Sequence, residues 1–295
     1  MSIQINGSNI DAVYYVSSQI GEIYYGSQLV YSSGVKLTIN TTPADATVTF
    51  STGKILGHQT KVKKGTVVTY TVSKNGYYGT SGTVTVNSNQ TINVSLEQKY
   101  YNDGQTIYES ASGGASTTLN VQTSGRYRVI CIAGGGGASE CYYRTGMGRI
   151  VHLSATGGSG SGFDCVFQLV KGNYPVQVGN GGNGKLVKKS PAPGKVGDGG
   201  NSRFGNSYTY GGGGGSAQNG PVLTAGAAGA TPKLSYTVIS SSLNRAGNNG
   251  NTVSPGNASG GASIYGSYGK GGDCQNNASV VNGTAGYVKV IFLGK

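Results

Sequence analysis

The chain has 295 residues, 54 of them Gly and 21 Tyr, with 11% charged residues and a formal net charge of +12. This length suggests two or three modest domains. The low charge and the alternating Val, Ile and Tyr runs argue against disorder, and the lack of a Gly-X-Y period excludes collagen. Residues 99–295 hold 16 Lys and Arg against 6 Asp and Glu, so most of the excess lies there, and a basic surface favours anionic partners.

No segment keeps a 3.6-residue apolar period, so the expected class is all-β. Residues 1–34 are a short module of strands that is too small to stand alone. Within it, Gly21 to Tyr31 predicts a hairpin bending at Gly26-Ser27. Residues 35–98 form a second module, with strands expected at 35–40, 47–51, 67–73, 82–86 and 91–96. Alternation is clean in Val35-Lys36-Leu37-Thr38-Ile39 and Val68-Thr69-Tyr70-Thr71-Val72, which implies one buried and one wet face. The run Lys61-Val62-Lys63-Lys64 is expected on a solvated edge, where lysine discourages pairing with another chain. Residues 99–126 read as a connector that ends in a strand at 117–121.

From 127 to 295, strand-like runs at 127–133, 163–170, 174–178, 208–210 and 287–293 frame glycine-rich stretches. These fall at 134–137, 157–162, 179–184, 194–200, 211–215, 226–229, 247–261 and 266–272. Ordering a Gly costs roughly 0.5–1 kcal/mol more than ordering an Ala. The glycines therefore need a source of order, and lateral backbone pairing is one. Extended polyproline II chains have no internal hydrogen bonds, and without side chains they approach closely enough to bond each other. The expected fold is a jelly-roll-like β frame carrying glycine-rich loops or a bundle of polyglycine II segments.

Few motifs point to chemistry. Gly179-Asn180-Gly181-Gly182-Asn183-Gly184-Lys185 matches a phosphate loop, but Leu186 stands where a Ser or Thr is needed, and Pro191 and Pro193 block the following helix. The two His, His58 and His152, are far apart, and no Cys pair has metal-site spacing. No cofactor, metal or catalytic residue is expected, so the chain reads as a non-enzyme. A polysaccharide hydrolase, which needs paired carboxylates, is the weakest alternative. Cys131 and Cys165 fall in apolar strands and read as core thiols, whereas Cys141 and Cys274 fall in loop-like sequence and are a candidate pair. Neither a secretory signal nor a membrane-spanning stretch is expected.

Aromatic and basic residues among the glycines are the candidate receptor-binding groups: Tyr142, Tyr143 and Arg144; Arg203, Tyr208 and Tyr210; Tyr265, Tyr268 and Lys270. A Tyr offers a flat face with a hydroxyl, and an Arg offers bidentate recognition of phosphate or carboxylate. Packing within the frame is the competing reading for each Tyr. Nucleic acid is disfavoured because no nucleic-acid motif is present.

Three resemblances follow from these residues. Ile-Tyr-Tyr-Gly-Ser-Gln-Leu-Val-Tyr at 23–31 is similar to segments near the ends of bacteriophage tail and fibre proteins. That likeness implies anchoring through Ile23, Tyr25, Leu29 and Tyr31 to other virion proteins. The order of strands and turns at 35–97 resembles the PEGA family of small β-sandwich domains, which act as spacers or weak surface binders. The series "Y-R-V-I-C-I-A-G-G-G-G", "Y-P-V-Q-V-G-N-G-G-N-G", "G-G-N-S-R-F-G", "Y-G-G-G-G-G" and "G-Y-V-K-V-I-F" resembles the glycine-rich domains of bacteriophage fibres and adhesins. A similar frame occurs in some animal receptor kinases, but kinase features are lacking here. These resemblances imply a virion protein assembled in the host cytoplasm and a homo-oligomer, fibres being commonly trimeric. Its partner would be a bacterial surface glycan, an anionic polymer or an outer-surface protein. A purely architectural head-fibre, decoration or tail-tip component is the alternative.

Overall fold

The computed structural model describes residues 4–5, 8–9, 13–15, 18–20, 22–25, 28–32 and 34–295, except 145–146, 188–193, 218–222, 254–256 and 276–278. The described residues contain strands and no helix, so the fold is all-β. They divide into two compact units, Met1–Tyr100 and Tyr101–Lys295.

The first unit opens with three short hairpins. β1 (Gln4–Ile5) pairs with β2 (Ser8–Asn9), β3 (Val13–Tyr15) with β4 (Ser18–Ile20), and β5 (Glu22–Tyr25) with β6 (Gln28–Ser32). In the last hairpin Ile23 lies opposite Tyr31 and Tyr24 opposite Leu29; the expected bend at Gly26-Ser27 lies outside the described residues. The side chains of Ile23, Tyr25, Leu29 and Tyr31 lie outside the described residues.

The strands that follow are β7 (Val35–Thr42), β8 (Thr47–Phe50), β9 (Lys54–Leu56), β10 (Gln59–Val62), β11 (Thr66–Ser73), β12 (Thr80–Val86) and β13 (Gln90–Ser95). They form two sheets, ordered β13-β7-β10-β9 and β12-β11-β8. The alternating apolar residues meet in one core, where Leu37, Ile39, Val68, Val72 and Val86 are fully buried. The β9–β10 hairpin is absent from the sequence-based strand set, because Gly57, at φ 62°, splits a short run of mixed polarity. It also overturns the expectation for the lysine run. Lys61 sits on β10 between β7 and β9, so it guards no edge, and the edge strand is β9.

The strands of the second unit, in chain order, are β14 (Thr106–Ser110), β15 (Ser116–Val121), β16 (Gly125–Ile132), β17 (Ser139–Arg144), β18 (Ile150–Ala155), β19 (Gly162–Leu169) and β20 (Gly172–Gln177). Next come β21 (Lys185–Val187), β22 (Gly194–Lys195), β23 (Ser202–Phe204), β24 (Ser207–Thr209), β25 (Ser216–Ala217) and β26 (Leu223–Thr224). The last are β27 (Val238–Arg245), β28 (Thr252–Val253), β29 (Cys274–Gln275), β30 (Ser279–Val280) and β31 (Tyr287–Gly294). Sheets β14-β31-β16-β19-β27 and β15-β20-β23-β24 enclose a core that includes Tyr127, Phe163, Phe167, Val176, Phe204, Val290 and Phe292. Within it the Tyr174 and Phe204 rings stack 5.3 Å apart. Segment 99–126 contributes β14 and β15 to these sheets.

The glycine-rich stretches run between this sandwich and a set of small sheets at the opposite, far end. Among the described residues, 133–138, 178–184, 210–215, 246–251 and 269–273 lead outward, whereas 156–161, 196–201, 225–230, 257–262 and 281–286 return. Most of the bonds between them are backbone to backbone, with a repeat of three. Gly134 and Gly137 donate to Gly200 and Gly197 at 2.9 Å each, while Gly135 donates to Thr284 and Gly136 to Gly158. The carbonyls of the same residues accept from Gly212, Gly215, Gly182 and Gly272. Segment 156–161 is ringed in the same way: Gly157 and Gly160 donate to 269–273, Gly158 and Ser161 to 210–215, and Thr156 and Ser159 to 246–251. Three residues per turn, with every amide directed sideways, is the geometry that suits polyproline II-like chains.

Glycine is required here for space. Residues 134–137 and 211–215 are absent from the positive-φ glycines, so their backbone angles do not demand it. A Cβ on Gly134 would lie 1.9 Å from the Asn180 carbonyl oxygen, and one on Gly136 would lie 2.1 Å from that of Gly213. Non-glycine residues occur where a side chain does useful bonding. Asn201 accepts from the Gly211 amide, Asp198 from Gly214, Asn249 from Ala228, Asp273 from Gly260 and Asn282 from Gly184. Thr156 and Ser159 accept from Asn251 and Asn248. These donors would otherwise lack a partner, which is costly when buried.

Gly136→Ala is expected to destabilise the second unit by about 3 kcal/mol or more, since the clash is with backbone. At this size that lowers the melting temperature by roughly 6–12 °C. Gly172→Ala, where nothing lies within 4 Å of the added Cβ, is the control, and calorimetry should show its melting temperature nearly unchanged.

Candidate functional site

The far end of the bundle is capped by sheets β21-β17-β18-β28, β22-β25-β26 and β29-β30. In β17 and β18, Ser139 pairs with Ala155, Glu140 with Ser154 and Tyr142 with His152, and β17 runs parallel to β21. This cap carries much of the basic excess. Arg149, Lys185 and Lys195 are exposed, with Lys195 bonded to Asp198 at 2.8 Å. The same stretches of sequence also contain Arg144, Lys188 and Lys189, and the acids there are Glu140, Asp198 and Asp273. Glu140 is completely buried and Asp273 is paired with Lys270 at 2.6 Å. The exposed charge of the cap is therefore predominantly positive.

Glu140 is a strand residue of β17, opposite Ser154 on β18. Neither of its carboxylate oxygens accepts a hydrogen bond, and His152 Nδ1 lies 3.5 Å from Oε1. A buried carboxylate favours a nearby proton or cation, and His152 is placed to supply that charge when protonated. Cys141 and Cys274 were expected in loops, but they lie in β17 and β29. Cys274 is a free, buried thiol whose Sγ faces the Ser139 carbonyl at 3.5 Å.

The structure distributes the sequence-predicted residues over separate places. Tyr142, Tyr143 and Arg144 lie on β17 in the cap, and their side chains fall outside the described residues. Arg203 and Tyr208 face each other across the β23–β24 hairpin at the sandwich end. There the guanidinium lies 5.7 Å from the Tyr208 ring and Nη1 donates to the hydroxyl at 3.3 Å. Tyr210 begins an outward segment, its carbonyl accepting from Ser161. Tyr265 and Tyr268 fold over the outer face of the five-stranded sheet. They stack on Tyr287, at 6.1 and 4.3 Å between centroids, beside Ile130, Ile132 and Leu243. Lys270 lies in the bundle and is tied to Asp273.

The same outer sheet face holds ion pairs that the sequence did not single out. Arg128 makes a bidentate contact with the buried Asp164, at 2.8 and 2.6 Å. Glu109 accepts from the Tyr287 hydroxyl at 2.6 Å and from Lys289 at 3.0 Å. Hydrogen bonds from Tyr287 and Lys289 hold the Glu109 carboxyl below its ordinary range, while burial, followed by the Glu109 contact, raises the Tyr287 phenol. The only signal for these pairs was period-two spacing, which puts Arg128 on the same face as Ile130 and Ile132.

Residues 34–95 match the model of the head fiber dimeric protein-like domain. The match spans the sandwich of the first unit and leaves the second unit uncovered. It supports a phage fibre-type structural protein, a component of the virion. No curated protein matches the chain.

Burial pushes the thiols of Cys131 and Cys274 up to about 12, with the Thr209 hydroxyl opposing the shift at Cys131 and the Glu140 charge adding to it at Cys274. Only thiolates alkylate readily. Both residues are therefore expected to stay unmodified by iodoacetamide at pH 8 in the native protein and to react after denaturation, as read by mass spectrometry.

Proposed function

We propose that this chain is a homo-oligomeric virion fibre protein that attaches to a bacterial surface through the far-end cap of its glycine bundle. The observation that carries the reading is the union of a head-fibre-type sandwich with a second unit whose far end is basic. The bundle supplies stiffness, because its segments bond laterally along their length. The cap supplies the chemistry: the exposed Arg149 and Lys185 suit phosphate- or carboxylate-bearing surface polymers. The short hairpins at 4–32 are assigned to anchoring on other virion proteins. Four of the six carboxylates of the second unit, Asp164, Asp198, Asp273 and Glu109, are engaged in ion pairs, which favours a non-catalytic role.

The description of the matched family favours one further reading, an architectural component on the head with no receptor. Labelling the protein on intact particles separates the two, because a cap buried against capsid subunits supports the architectural role.

Reversing charge at the exposed Arg149 and Lys185 together is expected to lower binding to host cells at least tenfold and to weaken its dependence on salt. Equal binding by this variant and the native protein would exclude the cap as the contact.

A further inference from the structure

We propose that two copies of this chain associate through the free edge of β9, with Ile55 of each copy at the two-fold axis. This rests on the homo-oligomer reading above and names the surface that would make it. The matched family is described as dimeric, and the match contains β9.

Among the described residues of that sandwich, the exposed large apolar side chains are Ile55, Leu56 and Val67, at 51%, 54% and 58%. Two of the three are adjacent on β9, which closes the sheet β13-β7-β10-β9. The other sheet edges are more polar. β13 carries Gln90, Thr91, Asn93 and Ser95, with Asn93 bonded to Asn40, and β12 begins Thr80-Ser81-Gly82. An edge strand normally carries charge, proline or a bulge to repel other strands. Here β9 carries a single lysine, Lys54, at its start, and the rest of the lysine-rich sequence lies on β10 and the turn after it, so Ile55 and Leu56 are left at the rim.

Register gives each residue its place. Ile55 lies opposite Thr60, which in turn lies opposite Leu37. Thr60 and Leu37 are fully buried, so Ile55 shares the core-facing side of the sheet and is half open only because the sheet ends there. Leu56, opposite Gln59, belongs to the other side. Antiparallel pairing of β9 with its copy about Ile55 puts residue 54 of each chain opposite residue 56 of the other. The core-facing surface then continues across the axis, and the four-stranded sheet becomes one of eight. A strand that pairs with itself in this way forms an isologous contact, which closes at two subunits.

Light scattering on the full chain tests this. The native protein is expected at twice its 29.9 kDa chain mass, the double variant Ile55→Asp/Leu56→Asp at the single mass, and Val67→Asp at the native mass. Ile55→Cys is expected to give a disulfide-linked dimer on mild oxidation that the native protein does not give. A native monomer would overturn the homo-oligomer reading itself. A trimer, or a dimer that survives the double variant and fails to cross-link through residue 55, would overturn the β9 contact and leave oligomerisation to another surface.

Discussion

The second unit depends on a distance: along the glycine segments, neighbouring carbonyl oxygens sit about 2 Å from where a Cβ would be. No L-residue with a side chain fits there, and the same closeness lets most amides reach a carbonyl on a neighbouring segment. The lateral bonds replace what an apolar core does elsewhere. They satisfy backbone groups that a loop would leave to water, and they offset the large entropic cost of ordering glycine. Segments 133–138 and 156–161 are bonded on all sides, and the outer segments complete their valences with Asn, Asp, Ser and Thr side chains.

Such a bundle has no apolar face of its own and needs its ends fixed. At one end the β16, β19, β20 and β31 strands feed it from a conventional apolar core built on Tyr127, Phe167 and Phe292. At the other, short sheets turn each outward segment back. This division of labour places the cap at the end of the bundle away from the sandwich core.

Much of this was legible in the sequence. Alternation at 35–39 and 68–72 correctly marked the buried Leu37, Ile39, Val68 and Val72, because a two-layer sandwich imposes a period of two. The β9–β10 hairpin escaped because its strands are short and its edge strand, Lys54-Ile55-Leu56, mixes charged and apolar residues without clean alternation. The candidate tyrosines were found by type, but type does not encode direction: Tyr265 and Tyr268 stack on Tyr287 because the 263–268 turn crosses the sheet there. The Asn and Asp residues among the glycines accept from amides that no neighbouring carbonyl reaches. That role depends on which segments are adjacent, which no local pattern carries.

Amide hydrogen exchange on the full-length protein tests the central claim most directly. If lateral bonding orders the bundle, the amides of Gly134 to Gly137 and Gly157 to Ser161 exchange as slowly as those of β16 and β31. Exchange at the rate of an unstructured chain, with β16 and β31 still protected, would contradict it.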